Sequence, residues 1–360
     1  MKSFPKSFRT PSFLALAVAA ALAGCAATQD AGHSAMNMVK SATGQAQVVR
    51  QDVAPALYEV AYSPSEDVVY AVSAGTPKDP ASGVKPKLFK LDPETLAVKA
   101  EIELPKPGYG LALDDEAHRL YIVDTRGGTL MVFDTTSGQV ASSVTMPPVL
   151  DAQGKPEKIE YREIIVDKAN NRLYLPAMSY HDSKLQVVNL ETLTVERTIP
   201  GFNFGATGIS MDSDAGKLYV SNLMGQLFVV DIGTLAITDR FEVQGDQLLN
   251  LVVDRDNKRL LAVDQGFDRL DVVRKERGGL NYQTRTQGNQ VLALDPSSGK
   301  VLQNIKVGTQ PVAMLLDAPR NRLYVSNRVS SNISVLDPRT GQEIKTIDLP
   351  TYPNSFALNP

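Results

Sequence analysis

Residues 311–348 read PVAMLLDAPRNRLYVSNRVSSNISVLDPRTGQEIKTID, and they contain one complete repeat of the predicted fold. This stretch contains four short runs in which apolar and polar residues mix at a strand-like period: VAMLLD, NRLYVSN, NISVLD and EIKTID. Such runs are typical of half-buried β-strands. The segments between them, such as DPRTG at 337–341, have turn-forming composition. The stretch therefore predicts one unit of four antiparallel strands joined by tight turns.

The same unit recurs along the chain. An acidic or polar residue is followed seven positions later by an aromatic or apolar one at Ser63/Tyr70, Asp114/Tyr121, Asp167/Tyr174, Asp212/Tyr219, Asp254/Leu261 and Asp317/Tyr324. A second turn residue recurs at steps of 42, 55, 42, 64 and 42 residues, at Asp92, Asp134, Asn189, Asp231, Asp295 and Asp337. A period of about 42 residues is typical of a propeller blade. We predict an all-β propeller of four-stranded blades.

The repeated Asp residues favour turns over metal binding. They occur singly, one at each turn, whereas Ca²⁺ needs several oxygen ligands that converge on one point. We therefore expect each carboxylate to accept hydrogen bonds within its own turn.

The sequence predicts seven-bladed geometry with an incomplete last blade. Six full repeats are present, and two further strands are expected at 353–359 and near 46–53. These would be the inner and outer strands of a seventh blade that lacks its two middle strands.

Several motifs resemble a known family. YVSN at 219–222 and again at 324–327, the latter followed by ISVLD at 333–337, resembles the signature of YVTN-repeat β-propellers. The chain is most similar to the YncE-like periplasmic proteins, through ALYEVAYS at 56–63, LDPETL at 91–96, Arg162-Glu163 and PNS at 353–355. The resemblance covers residues 46–360. It implies a seven-bladed periplasmic propeller, with single-stranded nucleic acid among the partners proposed for such proteins.

The N-terminus is typical of an exported lipoprotein. Lys2, Lys6 and Arg9 precede an apolar run at 13–23, which is too short to span a bilayer and fits a secretory leader. The sequence LAGC at 22–25 resembles a lipobox and predicts lipidation of Cys25. We interpret 1–24 as the signal peptide, 25–45 as a flexible tether and 46–360 as the propeller. Because residue 26 is Ala and not Asp, the resemblance to lipoprotein sorting signals implies the outer membrane, facing the periplasm.

Composition narrows the possible chemistry. The formal net charge is -3, and removal of three basic residues with the leader lowers it to -6, which argues against a strong phosphate-binding surface. One Cys and three His argue against a Cys/His zinc site, and the absence of a CxxCH motif excludes covalently bound haem. We expect no metal and no cofactor.

Three insertions indicate a candidate binding face. They lie between the second and third strands of the first and fifth blades, and at about 147–160 before the third blade. In an up-and-down blade these connections share one face of the disc, and loops on a rigid scaffold commonly carry function. Binding candidates on this insertion face are Tyr109, Arg126, Arg162, Tyr180, His181, Phe202, Phe204, Phe267, Arg269, Arg285, Arg328 and Tyr352.

Two function classes remain open at this stage. The first is a non-catalytic, envelope-anchored binding protein whose partner is a protein, a small molecule or single-stranded nucleic acid. The second is a periplasmic hydrolase or lyase that uses carboxylates in the central channel. His118 lies on the face away from the insertions, His181 by itself supplies no triad, and no GxSxG motif is present. We therefore favour the binding protein, with no catalytic residue assigned. Convergent carboxylates in the channel would favour the enzyme.

Overall fold

The computed structural model describes residues 37–39, 48–76, 80–266, 285–350, 353 and 355–358. This part of the chain is almost entirely β-structure, with one short 3-10 helix at Pro80–Ser82. The strands form six antiparallel sheets of at least four strands and one separate pair. The structure thus confirms a β-propeller with six full four-stranded blades. No helix among the described residues is long and apolar enough to cross a membrane.

The strands follow one another in chain order within each blade. The separate pair is β1 (Asn37–Val39) and β2 (Val48–Arg50). The first blade holds β3 (Leu57–Ser63), β4 (Val68–Ser73), β5 (Lys87–Leu91) and β6 (Val98–Glu103). The second holds β7 (Gly110–Asp114), β8 (Arg119–Val123), β9 (Thr129–Asp134) and β10 (Gln139–Thr145). The third holds β12 (Ile165–Asp167), β13 (Arg172–Ser179), β14 (Lys184–Asn189) and β15 (Val195–Ile199), and β11 (Ile159–Tyr161) also pairs with β13.

The remaining three blades repeat this order. The fourth holds β16 (Ala206–Asp212), β17 (Lys217–Asn222), β18 (Gln226–Asp231) and β19 (Ala236–Glu242). The fifth holds β20 (Leu248–Asp254), β21 (Arg259–Asp264), β22 (Gln290–Leu294) and β23 (Val301–Lys306). The sixth holds β24 (Pro311–Asp317), β25 (Arg322–Asn327), β26 (Asn332–Leu336) and β27 (Glu343–Asp348).

Burial explains why the blades stack radially. The two middle strands of a blade are buried on both faces, as in β8 and β9, whereas the outer strand β10 alternates between exposed and partly buried residues. Apolar clusters fill the spaces between successive blades, from the first to the sixth. Burial of apolar surface on both faces of each blade is the main favourable term in such a fold.

The repeated Asp residues form the expected turns. Asp231 Oδ1 accepts hydrogen bonds from the Thr234 amide and the Thr234 hydroxyl, both at 2.7 Å. Asp254 Oδ1 accepts one from the Asn257 amide at 3.3 Å. The structure therefore confirms the interpretation of these residues as turn-forming.

Both ends of the described chain meet between the sixth and first blades. Arg50 Nη2 donates to the Asp348 carbonyl of β27 at 2.7 Å, and Val53 packs against Ala71 and Phe89 of the first blade. Ser355 hydrogen-bonds to β3, although residues 353 and 355–358 form no ladder strand. Among the described residues, β2 pairs with β1 and not with a blade, so these contacts join the chain ends to the first and sixth blades without a seventh sheet. β1 falls within the predicted tether, whereas Cys25 and the leader lie outside the described residues.

Candidate functional site

The inner strands surround the central channel. β3, β7, β12, β16, β20 and β24 are the first strands of the six blades, and successive ones are in contact. We define the ring position as the residue four places before the turn residue that ends each inner strand. It is occupied in blade order by Glu59, Gly110, Glu163, Gly208, Asn250 and Ala313.

The residue at the ring position is a glycine in the two blades where the backbone of the next blade comes close. A Cβ atom at Gly110 would lie 2.8 Å from the Arg162 carbonyl oxygen, and one at Gly208 would lie 2.8 Å from the Leu249 carbonyl oxygen. Both distances are too short for real contacts. The glycines therefore allow Arg162 and Leu249 to approach from the neighbouring inner strands.

Two carboxyl groups line one cavity at this level of the channel. Glu59 and Glu163 border a cavity of about 290 Å³, together with Tyr58, Arg162 and Asn250. Burial raises the pKa of Glu59 to about 7, although the hydrogen bond from Ser355 opposes this. Burial, together with the charge of Glu59, raises the pKa of Glu163 to about 8. The pair therefore titrates near neutral pH instead of near pH 4.5.

Donors from other parts of the ring hold both carboxyl groups in place. Glu163 Oε2 accepts a hydrogen bond from the Ile209 amide at 3.1 Å, and its Oε1 accepts one from Asn250 Nδ2 at 3.2 Å. Glu59 Oε1 accepts one from the Ser355 hydroxyl at 2.5 Å. The orientation of each carboxyl group is thus set by a donor from another part of the ring.

An aromatic pair and an arginine stand one residue before the ring position. The Tyr58 and Tyr109 rings meet edge to face, with centroids 5.0 Å apart. Arg162 Nη1 donates to the Tyr58 hydroxyl at 3.2 Å, and its Nη2 donates to Glu160 Oε2 at 2.7 Å. Arg126 Nη2 lies 3.5 Å from Glu160 Oε1, and its side chain is 55% exposed. These residues form the opening of the channel on the insertion face.

One donor at the opening has no acceptor. The Nε atom of Arg162 is buried and has no hydrogen-bond partner among the described residues. Burial by itself lowers the pKa of Arg162, but Tyr58 and Glu160 raise it overall, so the guanidinium stays charged. A buried unpaired donor costs about 1–3 kcal/mol, which an acceptor on a ligand would recover.

The structure brings together three of the predicted binding residues and separates the others. Tyr109, Arg126 and Arg162 meet at the channel opening, as described above. Phe202 is buried in the core between the third and fourth blades, and Phe204 packs against Tyr180, with ring centroids 5.4 Å apart.

The other predicted residues fall into two groups. His181 and Arg328 are exposed on loops. Arg285 Nη1 donates to the carbonyls of Met224 and Val243, at 2.8 and 3.0 Å, and so joins the end of the fifth-blade loop to the fourth blade. Phe267, Arg269 and Tyr352 lie outside the described residues.

The sequence reasoning missed Tyr58, Glu59, Glu163, Asn250 and Ser355. A signal was present, because three of the motifs that resemble YncE-like proteins contain four of these residues. A second signal was a charged residue at the same register position in two inner strands. These strands are otherwise rich in small and apolar residues.

Comparisons with known proteins agree with the fold. The chain is 27% identical to YncE of Salmonella typhimurium strain LT2 and 25% identical to YncE of Escherichia coli strain K12, over 87% of this chain and 82% of each relative; both relatives are described as uncharacterized. Antigen Lp49 of Leptospira interrogans is 25% identical over 60% of this chain and 47% of its own length. No protein-family model matches the chain.

A solved structure shares the architecture. Hydrazine synthase of Kuenenia stuttgartiensis superposes with a TM-score of 0.62 over 84% of this chain and 90% of that chain, at 14% identity, which shows the fold alone. The six blades and the similarity over most of the length lead to one conclusion: this chain is a β-propeller that is similar in sequence to YncE.

Proposed function

We propose that this chain is a lipid-anchored protein of the bacterial envelope that binds a small polar ligand at the channel opening without converting it. The observation that carries the proposal is the cavity of about 290 Å³ bordered by Glu59, Glu163 and Arg162. Its size is at the lower end of the range for small-molecule sites.

The polar groups of the cavity define the ligand class. Glu59 and Glu163 offer acceptor oxygens without a cationic partner in the described hydrogen-bond pattern, since Arg162 is engaged by Tyr58 and Glu160. The Arg162 Nε atom offers a donor. A matching ligand carries a cationic amine or guanidinium group at one end and a carboxylate or carbonyl acceptor at the other.

Rigidity supports binding as the function. The carboxyl groups are fixed by donors from the fourth blade and from the C-terminal segment, and the Tyr58–Tyr109 pair borders the entrance. A ring of packed blades that holds polar groups in place lowers the entropic cost of ligand capture.

A specific observation favours a second candidate function. The pKa values of Glu59 and Glu163, raised by burial to about 7 and about 8, are suited to general acid–base catalysis near neutral pH. Two carboxylates in the channel are what a hydrolase or lyase of this fold would need. An enzyme would convert the bound ligand chemically, whereas a binding protein would release it unchanged.

The envelope location rests on the leader and on the Cys25 motif. Its test is metabolic labelling with radioactive palmitate followed by fractionation. The wild-type chain is expected to carry label and to sediment with membranes, whereas a Cys25→Ser variant carries none. Equal labelling of both chains would remove the lipid anchor from the proposal.

Isothermal titration calorimetry on the mature chain tests the binding function. Probes are free arginine, arginine amide, spermidine and a fluorescent single-stranded oligothymidylate. Arginine is expected to bind more tightly than its amide, which lacks the carboxylate for Arg162. Preferred binding of the oligonucleotide would replace the small ligand with nucleic acid. Chemical change of a bound probe, followed by mass spectrometry, would establish the enzyme instead.

A further inference from the structure

We infer that Ser355, in the C-terminal segment expected from the sequence to form a seventh inner strand, is a positioning residue for Glu59 in the channel. Ser355 lies at the site of the proposed function. The inference rests on the proposed function only where it concerns ligand binding. It stands on contacts that repeat around the ring.

Amide groups on the inner edges of the blades need acceptors. An inner strand pairs with its own blade on one side only, so alternate N–H groups point toward the preceding blade. The Ile209 amide donates to Glu163, and the Met314 amide donates to Asn250, both at 3.1 Å. In each case the acceptor is the side chain at the ring position of the preceding blade.

Ser355 makes the same contact for the first blade. The Val60 amide donates to Ser355 Oγ at 3.4 Å. Val60 stands three residues before the turn residue Ser63, as Ile209 and Met314 stand three residues before Asp212 and Asp317. Ser355 therefore makes the contact that Glu163 and Asn250 make from the ring position, although its segment forms no ladder with a blade of its own.

The same hydroxyl group also holds a carboxyl group of the cavity. Ser355 Oγ accepts from Val60 and donates to Glu59 Oε1 at 2.5 Å, which uses both capacities of a hydroxyl. The donated bond favours the ionised carboxylate and lowers the pKa of Glu59 against the effect of burial. The Ser355 side chain therefore both contacts the inner strand of the first blade and influences the ionisation of Glu59.

The test compares Ser355→Ala with Ser355→Thr, which keeps the hydroxyl, in the mature chain. The control is Ser297→Ala, because Ser297 donates to Asp295 at 2.6 Å in an exposed hairpin turn. Carbon-13 NMR of labelled glutamate side chains reads the titration of Glu59, assigned with Glu59→Gln. Amide hydrogen exchange reads the Val60 contact.

In Ser355→Ala, the midpoint of the Glu59 titration is expected to move to higher pH, and the Val60 amide to exchange at least about tenfold faster, since it loses its acceptor. Ser355→Thr is expected to restore both readings. Unchanged titration and exchange in Ser355→Ala would overturn the inference. If Ser355→Ala fails to fold, Ser355→Thr alone decides. The inference is overturned if, in Ser355→Thr, both the Glu59 titration and the Val60 amide exchange match those of a short unstructured peptide. Neither result bears on which probe binds the cavity, so the two proposals fail separately.

Discussion

At the level of single residues, the main feature is a pair of carboxyl groups in a buried cavity, where ionisation costs solvation free energy. Glu59 and Glu163 share one cavity, and burial is the largest cause of the raised pKa of each. An acid whose pKa is raised on folding binds its proton more tightly in the folded chain than in the unfolded one. Such groups stabilise the fold at low pH and lose this contribution as the pH rises.

The free energy of unfolding is expected to fall between about pH 5 and pH 8 because of this pair. The unfolded carboxyls release their protons near pH 4.5, whereas the folded ones hold theirs up to about 7 and about 8. Each group contributes a slope of at most about 1.4 kcal/mol per pH unit within that window. Urea unfolding of the mature chain at several pH values measures it.

The matched variant is Glu59→Gln/Glu163→Gln, and the control is Glu343→Gln on the exposed strand β27. The double variant is expected to flatten the decline and to be more stable than the wild type at pH 8. Parallel pH profiles for wild type and double variant would show that these carboxyls titrate normally.

At the element scale, the hairpins follow directly from local sequence. Asp-rich turns, strand-like runs and the period of about 42 residues predicted the blades, because each depends on residues close together in the chain. The channel site depends on residues such as Glu59 and Asn250, which lie on different blades. Sequence spacing places Glu59, Glu163 and Asn250 at one register position, but it does not show that their side chains meet across the ring. The contact of Ser355 with Glu59 joins residues 296 positions apart.

Asp231→Ala is expected to lower the melting temperature of the mature chain more than Asp231→Asn. Asp231 accepts two hydrogen bonds from Thr234, and Asn189 makes the equivalent contact with the Thr192 amide in the third blade. An amide oxygen can therefore replace the carboxylate in this turn. Differential scanning calorimetry makes the comparison, and equal losses in both variants would mean that the charge, not the acceptor, matters.

Arg285→Ala is expected to destabilise the chain by about 2 kcal/mol, because a charged donor is lost from carbonyls of the fourth blade. Arg255→Ala is the control, since Arg255 is 46% exposed and pairs with surface carboxylates. Urea unfolding measures both. A loss in Arg285→Ala no greater than in the control would show that its contacts with the fourth-blade carbonyls do not stabilise the chain.

At the scale of the whole molecule, the ring explains both what sequence reveals and what it hides. Repetition of one unit makes the architecture readable, and the predicted six full blades are present. The same repetition conceals the functional residues, because these residues lie at positions where the repeats differ. Glu59 and Glu163 occupy a position that holds Gly or Ala in three other blades. Of the binding candidates on the insertion face, Phe202 packs in the core and Arg285 attaches a loop to the fourth blade.

The most direct test is the affinity of the mature chain for free arginine at pH 9, where Glu163, with its pKa raised to about 8, is ionised. The affinity is compared among the wild type, Glu163→Gln and the Glu343→Gln control. We expect Glu163→Gln to weaken binding at least about tenfold, or about 1.4 kcal/mol, while the control binds like the wild type. Equal affinity in all three chains, or no measurable binding to the wild type, would contradict the assignment of the channel cavity as the ligand site.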